Sequence, residues 1–176
     1  MADTRLTLRA ARPSHARRIF AEIAANVESG HLLPRTSDDV ARHVGRFVVA
    51  LRGRRLAGFA ELAPLGPAVA EIRSLVVLAD ERGHGVGRAL VAELTTRARQ
   101  LGHEKLCAFT HAPAYFAHTG FSIVPHLWVP EKVFTDCVGC PLFRRCGQTA
   151  MEVNLEETRE RPSVAAVPMA LAGQHA

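Results

Sequence analysis

The 176-residue sequence has no run of about 18 consecutive apolar residues, so no stretch is built to cross a bilayer as a helix. Its N-terminus lacks the apolar core of a secretory leader. Arg5, Arg9, Arg12, Arg17 and Arg18 would also suit a transit peptide. They are read instead as part of a strand and a helix, because Leu6, Leu8 and Ala10 alternate while Ile19, Phe20, Ile23 and Val27 do not. Aromatic residues make up only 6% of the chain, with one Trp and one Tyr, leaving few faces on which to stack bases. With no recognised nucleic-acid motif either, nucleic acid is not an expected partner, and neither is a membrane. Cysteine is limited to four residues, which without an export signal read as reduced thiols in the cytoplasm. There is no internal repeat. The formal charge of +5 comes from scattered arginines rather than one basic block, which suits an anionic ligand or simply a charged surface.

What is present is one domain's worth of strands and helices, a mixed sheet with helices on both faces and no regular alternation. Residues 4–10 read as a strand, and Ser14 as the N-cap of a helix to about Val27. Thr36 or Ser37 caps a second helix over Asp38–His43. Phe47–Leu51 and Leu56–Leu62 form a hairpin, and Pro64–Pro67 is a turn. Lys105–Thr110 is a buried-type strand, Pro113–Thr119 a short helix ending at Gly120, and Phe121–Val124 another strand. Lys132–Phe134 is expected to be extended, Asp136–Cys146 a cysteine-bearing loop, and Gln148–Leu155 the last strand. Residues 156–176, rich in small residues, prolines and charges, read as a disordered tail beyond a domain of residues 4–155.

The most informative stretch lies between these. Glu71–Val77 is a strand, Arg82-Gly83-His84-Gly85-Val86-Gly87-Arg88 a glycine loop, and Val86, Leu90, Leu94, Ala98 and Leu101 recur at helical spacing. Gly102 then stands where a left-handed cap is wanted. Such a loop aims several backbone N–H groups at one point, next to the positive end of a helix dipole, and the best ligand is a phosphate or pyrophosphate. The spacing is neither GxGxxG nor a Walker motif.

On Arg82-x-x-Gly85-x-Gly87 the chain resembles the GCN5-related N-acetyltransferases. The resemblance implies an α/β (α+β) fold with a mixed, mostly antiparallel sheet of six to seven strands and helices on both faces. It implies that Leu75, Val76, Val77 and residues Arg82 to Arg88 hold acetyl-CoA. Gly120-Phe121 fits the same family, but its usual tyrosine position is Phe116 here. Tyr115 is one place early, roughly 100° around a helix, and is read as a packing residue. Four segments are similar to the short N-acetylglutamate synthases: Gly30-x-Leu32-Leu33-Pro34-Arg35-Thr36, Glu71-Ile72-Arg73-Ser74-Leu75-Val76-Val77, Ala117-His118-Thr119-Gly120-Phe121, and Lys132-Val133-Phe134-x-Asp136-Cys137-x-x-Cys140-Pro141-x-Phe143-x-x-Cys146.

That similarity implies transfer of acetyl from acetyl-CoA to L-glutamate, the first step of arginine biosynthesis. An α-amine must attack as a neutral group, and with a pKa of about 8 it needs a base. Glu71 is the carboxylate expected to serve. Thr110 matches a hydroxyl position used for the leaving thiolate. Backbone N–H groups near Val76 and Val77 are candidate oxyanion donors, if the sheet splays there. Two substrate carboxylates call for cationic anchors, and Arg35, Arg73 and Lys132, with Leu32 beside them, are the candidates. Cys137, Cys140 and Cys146 have metal-like spacing but are only three ligands, for which Asp136, His126 or Cys107 would supply a fourth. Rival readings are an acetyltransferase for another small amine or a protein N-terminus, and an inactive module that senses CoA or a metal. A homodimer is left open.

Overall fold

Every residue of Phe47-Val48-Val49-Ala50-Leu51 is buried, which a strand achieves only when both faces of its sheet are covered. The computed structural model, which describes residues 5–28 and 32–156, shows how. Seven strands form one sheet: β1 (Leu6–Ala10), β2 (Phe47–Arg52), β3 (Arg55–Pro64), β4 (Val69–Val77), β5 (Lys105–Thr110), β6 (Ser122–Val124) and β7 (Thr149–Asn154). Their order is β1-β2-β3-β4-β5-β7-β6, antiparallel except for the central β4–β5 pair. The connections carry α1 (Ala16–Glu28), α2 (Ser37–Arg42), α3 (Val86–Gln100), α4 (Pro113–Ala117) and α5 (Pro130–Lys132).

The two helical layers follow from alternation along the strands. Phe47, Val49 and Leu51 face one way and pack with Ile19 and Ile23 of α1 and Val40 of α2. Val48 and Ala50 face the other way, with Leu90, Leu94 and Ala98 of α3. The mixed sheet with helices on both faces is therefore as expected. Thr36 is the N-cap of α2, its Oγ1 accepting the Asp39 N–H at 3.1 Å. Gly102, at φ 82°, ends α3 in the left-handed region.

Two expectations change. Ser14 is not a cap: Pro13–His15 is a 3-10 turn entered from Arg12, whose N–H donates to His15 Nδ1 at 2.8 Å. Lys132–Phe134 is not extended. Pro130 opens α5, for which its fixed φ is pre-set, and the chain continues as a π turn over Val133–Cys137, closed by the Val138 N–H to Val133 O bond at 3.1 Å. This helical path puts Lys132 and Asp136 on one side, four residues apart. The expected tail falls mostly on residues 157–176, which lie outside the described residues.

β3, β4 and α3 meet closely at Gly58. A Cβ there would stand 2.7 Å from Val76 O, 3.1 Å from Val86 Cγ1 and 3.3 Å from Leu90 Cδ1. Gly58→Ala is expected to lower stability by about 1–3 kcal/mol, the usual range for overpacking. Gly45→Ala, whose Cβ meets nothing within 4 Å, is expected to stay within about 0.5 kcal/mol. Urea unfolding of both variants checks the contrast.

Candidate active site

The site forms where the sheet opens. β4 pairs with β5 only from Val69↔Lys105 to Glu71↔Cys107, and beyond that the two strands part. On its other side β4 stays paired, Val76 with Phe59 and Val77 with Gly58 of β3. Because alternate N–H groups of a strand point to opposite sides, the parted side of β4 is a place where donors lack a ladder partner. The splay expected near Val76 and Val77 is thus present.

β4 also carries an extra residue opposite Ala60, with Ser74 at φ 48°. A positive φ on serine costs roughly 1–2 kcal/mol. The bulge switches the facing of the strand. Ala70 and Ile72 lie in the α3 cluster before it, whereas after it Leu75 and Val77 do, and Val76 turns to the α1 side.

A cavity of about 500 Å³ fills the opening. Its wall includes Leu32, Arg35, Glu71, Arg73, Leu75, Thr110 and Lys132, so every residue proposed from the sequence for the acceptor and the chemistry reaches one space. The wall also holds residues to which sequence reasoning gave no role, Asp39, Arg46, Glu61 and Ser74, and two that it read otherwise, Tyr115 as packing and Asp136 as a metal ligand. Glu61 carried one available signal, an acid within an otherwise apolar strand run.

Two ionic clusters line this space. Glu71, 3% exposed, accepts through Oε2 from Arg73 Nε and from Lys132 Nζ, the latter at 2.9 Å. Lys132 Nζ also reaches Asp136 Oδ2 at 2.9 Å and lies 5.4 Å from the centre of the Phe109 ring. Arg73 Nη2 bonds the same Asp136 oxygen. In the second cluster Arg35 bridges Glu61, which is 1% exposed, and Asp39 at 2.7 Å, and Asp39 accepts from His43 Nδ1 at 2.9 Å when that nitrogen is protonated.

Burial alone would lower the pKa of both guanidiniums, but the paired carboxylates outweigh it. Glu61 and Asp39 raise that of Arg35, and Glu71, Asp136 and Glu61 raise that of Arg73. Burial likewise pushes the Asp39 carboxyl up, yet Arg35 and His43 hold it below its ordinary value.

The glycine loop lies open at the start of α3. Arg82, Gly83, His84, Gly85 and Arg88 are exposed, and Val86 is buried as the first helical anchor. Gly85 is the N-cap at φ 77°, a left-handed turn that suits glycine and leaves the helix N-terminus uncovered. Gly87 is held small for a different reason: a Cβ on it would stand 2.6 Å from Tyr115 Oη.

Tyr115 does pack, edge-on to Phe116 at 5.3 Å, but its hydroxyl is buried with no hydrogen-bond partner, beside the loop and on the cavity wall. Burial raises its pKa, against a smaller opposing effect of Arg88, so the phenol keeps its proton at neutral pH. Phe116 itself is buried in the core. At the end of β5, Thr110 Oγ1 accepts the Ala112 N–H at 2.9 Å.

The metal expectation fails on geometry. Among the described residues no group of three His, Cys, Asp or Glu side chains is placed to hold an ion. Cys137 closes the π turn partly buried, Cys140 follows it, and Cys146 is exposed past the 3-10 turn Phe143–Arg145. The proposed fourth ligands are occupied elsewhere: Cys107 is buried on β5, His126 packs on Phe109 at 5.2 Å, and Asp136 is held by Arg73 and Lys132. Burial raises the Cys137 thiol above its ordinary value, and raises Cys107, beside Glu71, much further. Among the described residues no helix is long and apolar enough to cross a membrane.

Comparison with known proteins bears on this site. The profile of the Acetyltransferase (GNAT) family matches residues 9–121. The uncharacterized N-acetyltransferase CT2212 of Chlorobaculum tepidum is 30% identical over 122 residues, covering 69% of this chain and 79% of that protein. Among solved structures, N-acetylglutamate synthase from Neisseria gonorrhoeae, complexed with coenzyme A and N-acetyl-glutamate, superposes with a TM-score of 0.78 at 24% identity, over 86% of this chain. The chain spans only 35% of that protein's length. Rv2747 from Mycobacterium tuberculosis, in complex with CoA, superposes with a TM-score of 0.71 at 24% identity, over 84% of this chain and 98% of its own. At these identities the two structures speak for the fold.

The ion pair between the half-buried Arg35 and the buried Glu61 makes a prediction about stability. Arg35→Ala leaves Glu61 charged and uncompensated, which is expected to cost about 3–5 kcal/mol. Adding Glu61→Gln removes the stranded charge and is expected to recover a substantial part of that loss. Equal denaturation midpoints for the single and double variants would contradict the pairing.

Proposed function

Because the chain belongs to the acetyltransferase (GNAT) family, an N-acetyltransferase family, we propose that it moves the acetyl group of acetyl-CoA to the α-amine of L-glutamate, giving N-acetyl-L-glutamate and CoA. The observation that carries this reading is the convergence of Arg35, Arg73 and Lys132, from three separate segments, on one cavity beside Glu71. Cationic anchors at that density suit a small dicarboxylate, and the fold shared with the N. gonorrhoeae synthase supports the same acceptor. The unit that does this is the domain of residues 4–155. We place it in the cytoplasm, at the entry to arginine biosynthesis, with small molecules as its partners.

In this mechanism the open loop from Arg82 to Arg88 takes the pyrophosphate of acetyl-CoA, through backbone N–H groups and the α3 dipole. Leu75, Val76 and Val77 run along the thioester arm, and unpaired N–H groups on the parted side of β4 polarise the carbonyl. Arg73 and Lys132 fix Glu71 through Oε2, so its other oxygen takes the amine proton, directly or through a water. The neutral amine attacks the carbonyl carbon, and the C–S bond breaks as the tetrahedral centre collapses. A thiolate with a pKa of about 8.5, taking cysteine as the guide, needs little help in leaving. Tyr115, whose hydroxyl is protonated and has no other partner, is well suited to give it a proton, with Thr110 the second hydroxyl in the cavity.

Thiol release from acetyl-CoA across the twenty amino acids tests the acceptor. Glutamate should be acetylated, and glutamine, lacking one charge, should lose about ten- to hundredfold in kcat/KM, the worth of one charge-assisted hydrogen bond. Equal rates with glutamine, lysine or a peptide N-terminus would move the assignment to another amine. Acetyl-CoA binding without any turnover would point to a sensing module.

Glu71→Gln tests the base. Its kcat is expected to fall by about 10²–10⁴ while acetyl-CoA still binds, since that ligand's contacts lie in the loop. The defect should narrow as pH rises and more of the amine is neutral unaided. Near-normal turnover at pH 7, or loss of acetyl-CoA binding, would remove Glu71 from the role.

A further inference from the structure

An acidic acceptor raises a problem of charge that the cavity itself answers. Histidines aside, its wall carries four cations, Arg35, Arg46, Arg73 and Lys132, and four anions, Asp39, Glu61, Glu71 and Asp136. The three anchors are therefore already engaged: Arg35 by Glu61 and Asp39, and Arg73 and Lys132 jointly by Glu71 and Asp136. A carboxylate added to a matched pair of cations gains little and must still be desolvated. A carboxylate that replaces one already there keeps the charge matched.

We propose that Asp136 is an internal placeholder for the acceptor's side-chain carboxylate: it occupies the seat between Arg73 and Lys132, and an incoming acidic acceptor exchanges with it. The proposal rests on the acidic-acceptor reading above. Of the two anions in the seat, only Asp136 is free to leave. Its side chain is 34% exposed against 4% for Glu71, which sits on the central strand between β3 and β5.

Asp136 rides on the π turn Val133–Cys137. Of the apolar side chains on and after that turn, Phe134 and Val138 point outward at 78% and 65% exposure and Val133 is half-buried, and no residue of the turn is fully buried, so lifting it uncovers little core. Lys132, by contrast, is 8% exposed and rests over Phe109, so it stays in place and needs a counter-charge throughout. Asp136 thereby sets specificity. An acceptor with a neutral side chain cannot replace its charge there and leaves it seated, whereas a side-chain carboxylate can.

The test compares the native enzyme with Asp136→Asn and Asp136→Glu. Binding of L-glutamate and L-glutamine, each with CoA present, is read by calorimetry, and alkylation of Cys137 is read by peptide mass spectrometry against the exposed Cys146 as the internal standard. With its competitor neutralised, Asp136→Asn is expected to bind glutamate about tenfold more tightly, the worth of one charge-assisted contact. Glutamine should shift far less, and Asp136→Glu should restore native-like glutamate affinity.

In the native enzyme glutamate should speed Cys137 alkylation, because exchange lifts the turn, and glutamine should not. Glutamate binding no tighter to Asp136→Asn, or slower Cys137 labelling when glutamate binds the native enzyme, overturns the proposal. Turnover separates the two readings. A protein that acetylates no glutamate yet binds it more tightly in Asp136→Asn keeps the seat and loses the acceptor assignment. One that acetylates glutamate but gains no affinity in Asp136→Asn keeps the acceptor and loses the seat.

Discussion

The parting of β4 from β5 after the Glu71–Cys107 pair is the constraint on which the site depends. A parallel pair continued to the end of β4 would consume the N–H groups on that side and leave no cleft. The Ser74 bulge works with it. By adding one residue to β4 it lets Glu71 and Arg73 share a side with Val76, while Ile72, Leu75 and Val77 all pack toward α3. A serine in the left-handed region is disfavoured, and here it stands on the wall of the cavity it helps to shape.

Around the opening, electrostatics is paired rather than merely positive. Glu61, Glu71 and Lys132 are all buried and all held by opposite charges. Such pairs are weak contributors to folding, since desolvating both partners offsets most of their attraction. Their worth is in position: two cations fix one carboxylate, and the guanidinium of Arg35 ties α2 to β3 across the cavity mouth. The stretch from Pro130 to Val138 follows the same logic inverted. Two of its three charged residues, Lys132 and Asp136, turn inward to the cavity, and Phe134 and Val138 turn outward, the reverse of a helix that covers an apolar core.

Much of the fold was legible because it rests on local chemistry. Alternating and fully apolar runs marked the strands, Thr36 marked a cap, and Gly102 marked a helix end, each through a preference that acts over a few residues. Lys132–Phe134 misled because β-branched and aromatic propensity is weak against a proline-opened helical turn tied to the cavity by two ion pairs. The cysteine spacing misled because spacing says nothing of where the intervening turns carry each thiol. Tyr115 was judged from the helical angle alone, whereas its hydroxyl is defined by what it touches, the bare Cα side of Gly87.

By itself the sequence determined the order of most strands and helices, the strand–glycine loop–helix unit, and the residue types from which the proposed acetyl-CoA and acidic-acceptor sites are made. These are written in contiguous patterns of polarity, turn chemistry and spacing. Only the tertiary structure decided that β4 and β5 part, that Ser74 bulges, and that Arg35, Arg73 and Lys132 are already matched by Asp39, Glu61, Glu71 and Asp136. Charge pairing in a cavity depends on distances between residues up to 63 positions apart, such as Arg73 and Asp136, and no local pattern along a chain encodes such a distance.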